Sequence, residues 1–144
     1  MTASEKITIN LSVVDLGKID LMTEEGFYTN RTDFIRTGIK QLLLQHENET
    51  NQAVSRMKAA DELRSSGDIG TKHAFAVGVM AFSASDLKHV LADNKRISIN
   101  IICLLRLNND VTPKLANQAI KSIKVRGAFR APADVKKILA DRTL

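Results

Sequence analysis

The chain has 144 residues, a formal net charge of +5 and 44% hydrophobic content, which is enough for one ordinary core or two small ones. One cysteine excludes an intramolecular disulfide and zinc-type Cys pairs, and no stretch approaches the roughly 18–20 uncharged apolar residues of a membrane span. The opening MTASEKITIN lacks a basic segment followed by an apolar run, so no secretory leader is expected and a cytoplasmic location is the default.

Charge is unevenly divided. Residues 1–64 carry 8 Lys/Arg against 10 Asp/Glu, whereas residues 65–144 carry 13 against 6. The basic excess is therefore C-terminal. It is compatible with nucleic-acid binding without establishing it.

In EKITINLS (5–12), Ile7, Ile9 and Leu11 alternate with Lys6, Thr8 and Asn10, the period-two pattern of a half-buried strand. Ser12 can cap a helix over roughly 13–25, with Leu16, Ile19 and Met22 along one face, and Gly26 is placed to stop it in a left-handed conformation. After the turn FYTN, Asn30 and Asp33 form a capping-box-like pair for a second helix, in which Phe34, Ile35, Ile39, Leu42 and Leu43 recur at helical spacing. Residues 46–64 read as a helical link with a thin apolar stripe, and SSGDIG (65–70) as a flexible boundary.

The remainder contains three units of 24 residues. Asp86, Asp110 and Asp134 are spaced by that period, each followed five residues on by Leu-Ala. Upstream, Phe75/Ile99/Ile123 and Val77/Ile101/Val125 share one register, and Arg106 matches Arg130. Each unit reads as a strand followed by a short helix, with Pro113 and Pro132 in first-turn positions and Thr112 as a cap. Such units favour parallel strands side by side. The middle strand, ISINIICLLRL, is apolar on both faces, as a covered strand should be, and Cys103 within it reads as a buried thiol. On the third strand Lys124, Arg126 and Arg130 share a face. They read either as a charged edge that discourages aggregation or as a secondary contact for nucleic acid or another anionic surface.

One strand and two amphipathic helices cannot enclose a core alone. The simplest remedy is a second copy, with two strands pairing antiparallel about a two-fold axis. Lys6, Thr8 and Asn10 would then form a doubled outer row on a ribbon that fits the DNA major groove, where Lys can donate to guanine, Asn can pair with adenine, and Thr can touch thymine.

EKITINLSVVDLGKIDLMTEEGFYTNRTDFIRTGIKQLL resembles the ribbon-helix-helix (Arc/CopG-type) bacterial DNA-binding proteins over about residues 5–44. The resemblance implies a homodimer that binds double-stranded DNA, with base contacts from Lys6, Thr8 and Asn10. It also implies a phosphate grip at the amino end of the second helix, from Thr29, Asn30, Arg31 and Thr32, where unpaired N–H groups and the helix dipole favour an anion. Arg36 reads as an exposed helix charge.

The expected fold is α+β: a ribbon-helix-helix module over 1–45, a helical linker over 46–70 and a β/α repeat domain over 71–144. Catalytic signatures are missing, with no Gly-rich phosphate loop, H-E-x-x-H or G-x-S-x-G. His46, His73 and His89 share no metal-type spacing, and the repeat aspartates suit caps or turns, so no metal or other cofactor is expected. The leading reading is a sequence-specific transcriptional regulator, a repressor. The alternatives are an antitoxin that autoregulates its operon and binds a toxin partner, or an architectural or partition protein that multimerises through its repeat domain.

Overall fold

The computed structural model describes residues 4–144, which form an α+β chain with six α-helices and a three-stranded parallel sheet. Two units divide at Ser55/Arg56. Among the described residues no helix is long and apolar enough to cross a membrane.

In the first unit, residues 4–12 form no helix and pair with no strand of their own chain. Helix α1 (Val13–Glu24) begins at Ser12, whose Oγ accepts the Asp15 N–H at 3.1 Å and donates to the Asp15 carboxylate at 2.7 Å. It ends at Gly26 (φ +80°), with the Gly26 N–H donating to Thr23 O and the Phe27 N–H to Met22 O. These two bonds form a Schellman motif, which needs the left-handed residue that glycine supplies.

Helix α2 (Arg31–Gln45) is capped by Asn30, whose Oδ1 accepts the Asp33 N–H at 2.9 Å. The Asp33 carboxylate accepts from the Thr29 N–H at 3.0 Å, one residue further back than in a capping box. A single non-helical residue, His46, separates α2 from α3 (Glu47–Gly67), so the linker drawn over 46–70 is almost entirely helix. Ile19 (6% exposed) is the one buried apolar side chain among the described residues of this unit, and Ile7, Leu21, Leu42, Leu43 and Leu44 are all exposed.

The second unit starts within α3 and continues as β1 (Thr71–Phe82), α4 (Ala84–Ala92), β2 (Arg96–Leu107), α5 (Pro113–Ala119), β3 (Ile120–Arg130) and α6 (Ala133–Ile138), with a short 3₁₀ turn at Ala140–Arg142. The strands lie in the order β1-β2-β3, all parallel. Leu87 and Val90 of α4, Ala116 of α5 and Val135 of α6 join Ile97, Ile99, Ile101, Leu105, Leu107 and Ile123 in one buried cluster. The three short helices therefore cover the same side of the sheet.

Local signals act largely at the positions expected. Ser83 and Asp86 form a full capping box for α4, Thr112 Oγ1 accepts the Leu115 N–H at 3.3 Å, and Pro113 opens α5. Pro132 departs by one residue, since it is the N-cap of α6 rather than a first-turn residue.

Two expectations are corrected. The 24-residue register holds between β2 and β3, where Ser98 faces Ser122, but β1 is set one residue out: Ala74 and Ala76, not Phe75 and Val77, pair with Ile99 and Ile101. The small alanines pack against the helix-side cluster, which turns Phe75 and Val77 to the other face. Cys103 is not a buried thiol but an exposed one. It has φ +110° and lies in register between Gly78 (φ +120°) and Gly127 (φ +122°), so the regular alternation of the middle strand breaks there. At Gly127 a Cβ would stand 2.1 Å from the Cys103 carbonyl oxygen, which leaves no room for any other residue.

Candidate nucleic-acid interface

Lys6, Thr8 and Asn10 are all exposed on the segment preceding α1. The apolar residues between them are open too, with Ile9 51% and Leu11 42% exposed. In a single chain this segment thus presents both its polar and its apolar positions to solvent. Ser12 fixes where it ends and α1 starts.

The amino end of α2 gathers Thr29, Asn30, Arg31 and Thr32. Asn30 spends its side-chain oxygen on the cap, and the Thr29 N–H is already donated to Asp33. The Arg31 guanidinium is held in a bidentate pair with Asp20 of α1, Nε to Oδ1 at 2.6 Å and a terminal nitrogen to Oδ2 at 2.7 Å. The hydrogen bonds from Arg31 hold the Asp20 carboxyl below the usual carboxylate range, and those to Asp20 raise Arg31. Sequence spacing gives no hint of this pair, whose members lie eleven residues apart on two helices. It ties α1 to the start of α2, and a guanidinium with five N–H donors retains capacity for a further acceptor.

In the second unit, Lys124, Arg126 and Arg130 alternate along β3, and Arg126 donates to Asn100 Oδ1 at 3.3 Å. The register adds Arg106, which faces Arg130 across β2 and β3. Both line an open cleft of about 380 Å³ with Asn108, Asn109 and Ala131. The 24-residue offset between the two arginines carried that information, although repeat matching alone does not say that they sit side by side. His73, half-buried on β1, has Nδ1 4.0 Å from the Asp61 carboxylate of α3. Among the described residues no three His, Cys, Asp or Glu side chains come together as metal ligands.

A model of the ribbon-helix-helix transcriptional regulator family matches residues 2–136. The chain belongs to that family. Its match runs well past the 5–44 stretch that carries the resemblance in sequence and takes in the sheet, so the strand-helix units are covered by the family pattern rather than appended to it. No curated protein and no solved structure matches the chain. Membership in a ribbon-helix-helix family brings DNA binding, transcription regulation and dimerisation as the class of activity.

Proposed function

We propose that the chain is a sequence-specific repressor that acts as a homodimer and occludes its operator. Residues 6–11 of two copies pair as an antiparallel ribbon in the major groove, where Lys6, Thr8 and Asn10 of each copy meet base edges. Thr29, Asn30, Arg31 and Thr32 grip a backbone phosphate beside the ribbon. The observation that carries this reading is the exposure of the first unit. With Ile19 buried and Ile7, Ile9, Leu11 and the Leu42–Leu44 run open, the described residues up to Ser55 cannot cover their own apolar face. A second copy, supplying an equivalent strand and helices, covers it.

The test is recovery of the DNA bound by the protein across a genome, followed by Lys6→Ala, Thr8→Ala and Asn10→Ala on the recovered site. Removing each base-reading side chain costs about 1–3 kcal/mol of discrimination. A triple variant that still dimerises and keeps the same site preference would remove these residues from readout.

Residues 1–64 carry net negative charge, so the ribbon and two copies of Arg31 supply little phosphate neutralisation. Lys124, Arg126 and Arg130 are the second contact, holding the backbone without reading sequence. Changing all three to Gln in the full chain is expected to flatten the dependence of log affinity on log salt by about 0.9 for each phosphate that is no longer neutralised. An unchanged slope would leave them as a charged edge of the sheet.

A further inference from the structure

Three arginines of the second unit spend N–H groups on oxygens of their own chain. Arg96 and Arg142 both donate to the Ile120 carbonyl, and Arg126 donates to Asn100. Arg106 on β2 does not: it is exposed and makes no hydrogen bond or ion pair among the described residues. Its neighbour adds to the imbalance. Arg106 and Arg130 stand in register on adjacent parallel strands, about 5 Å apart in the backbone. Like charges set side by side across a ladder repel. On the other flank of Arg106, β1 offers only Ala81.

The two arginines share their cleft of about 380 Å³ with Leu107, Asn108, Asn109 and Ala131, so among the described residues no carboxylate lines it. One wall is a fixed turn. The Asn108 N–H donates to Phe82 O at 2.9 Å, and the Asn108 carbonyl accepts the Val111 N–H at 3.1 Å. The turn holds both asparagines at the carboxyl end of β2, beside the guanidiniums.

We infer that this cleft binds the phosphate group of a small phosphomonoester. The chemistry follows from the pair. Each guanidinium is a planar fork that takes two oxygens of one acceptor. A carboxylate has two oxygens and one charge, enough for a single fork. A phosphate dianion offers an oxygen edge to each fork and matches the two positive charges. With five N–H donors, Arg130 has capacity for the phosphate beside any other contact it makes. The volume is at the small end of ligand clefts, which suits a phosphate and a short polar body within reach of the asparagine amides. The inference goes beyond the DNA contact proposed above for Lys124, Arg126 and Arg130. Arg130 is common to both, and Arg106 separates them.

The test is a phosphorus NMR titration of glycerol phosphate with the full chain at constant ionic strength. The pH is set to about 8, well above the second pKa of about 6 of a phosphomonoester, so that the probe is a dianion. The parent is expected to bind one ligand per chain, saturating in the millimolar range. Arg106→Gln and Arg130→Gln are each expected to weaken binding by about tenfold or more, the loss of a charge-assisted fork. Arg106→Lys keeps the charge without the fork and is also expected to bind more weakly than the parent. Should Arg106→Gln fail to fold, as read by circular dichroism, Arg106→Lys carries the comparison. Lys124→Gln with Arg126→Gln is expected to stay within a factor of about two, because Arg126 lies roughly 13 Å along the strand from Arg130, beyond the screening length of about 10 Å. No saturable binding by the parent overturns the inference, as does parent affinity in folded Arg106→Gln and Arg106→Lys. An equal loss in the Lys124/Arg126 variant assigns the effect to a diffuse positive field and overturns it too. If Arg106→Gln keeps its affinity for glycerol phosphate but flattens the salt dependence of DNA binding, the pair belongs to the DNA backbone and the small-ligand site falls.

Discussion

Helices α1 and α2 carry apolar side chains at the same spacing as helix α4, yet their fates differ. Leu87 and Val90 of α4 are buried against strands of their own chain, whereas Leu42, Leu43 and Leu44 of α2 remain open. The difference lies in what each helix has to pack on. Every helix of the second unit that follows a strand meets a sheet at once, because each strand has a neighbour in the same chain. The first unit has one potential strand and, among the described residues, no mate for it. Helical periodicity therefore states that a face will be buried, and leaves open which molecule buries it.

The comparison breaks most sharply at Ile9. In the proposed dimer Ile9→Lys places two ammonium groups inside a shared core, at a cost of several kcal/mol for each unpaired ion. The mass in solution is expected to fall from two chains to one and operator binding to vanish, while the second unit keeps its cooperative melt. If the variant is still dimeric and binds DNA normally, the first unit does not use residues 7, 9 and 11 to close on a second copy.

Ile101→Ala probes the other side of the comparison. Ile101 is fully buried in the self-contained cluster, so truncation is expected to destabilise the second unit by about 2–5 kcal/mol. Because that cluster is built within one chain, the shift in its midpoint is expected to be the same at all protein concentrations. A concentration-dependent shift would show that the second unit, too, needs a partner to be stable. Operator affinity is expected to change far less than with Ile9→Lys.

The same contrast explains how far the sequence could be read. The caps at Ser12, Asn30 and Thr112 and the stop at Gly26 are legible because each is a local event, a side chain or a free φ acting within three or four residues. The three strands are legible because a repeat announces itself. The register of β1 is not: Ala74 and Ala76 face the helices because small side chains fit there, a packing fact that no 24-residue alignment contains. The exposure of Cys103 is hidden for a similar reason, since it follows from a left-handed φ between two glycines on neighbouring strands, visible only once the strands are in register. Among candidate site residues, Lys6, Thr8 and Asn10 follow directly from alternation. The Arg31–Asp20 pair and the Arg106–Arg130 adjacency need the fold, because both join residues far apart in sequence.

The smallest expected effect concerns the junction where α3 hands over to β1. Asp68 accepts from Lys121 Nζ at 2.8 Å, and this bond, reinforced by Thr71, lowers its carboxyl from the ordinary 3.8 to about 2. A carboxyl whose folded value lies below its unfolded one stabilises the fold above about pH 4, and the contribution fades as pH falls toward 2. Asp68→Asn is therefore expected to melt slightly below the parent protein at pH 6 and to converge with it near pH 2, as read from the thermal midpoint of the second unit. The gap is small because the pair is solvent-exposed, with 38% of the Asp68 and 48% of the Lys121 side chain accessible. It should also narrow in high salt, which screens an exposed pair. A gap that widens on acidification would mean that Asp68 is held by its neighbours in the protonated form, the reverse of what the lysine beside it dictates.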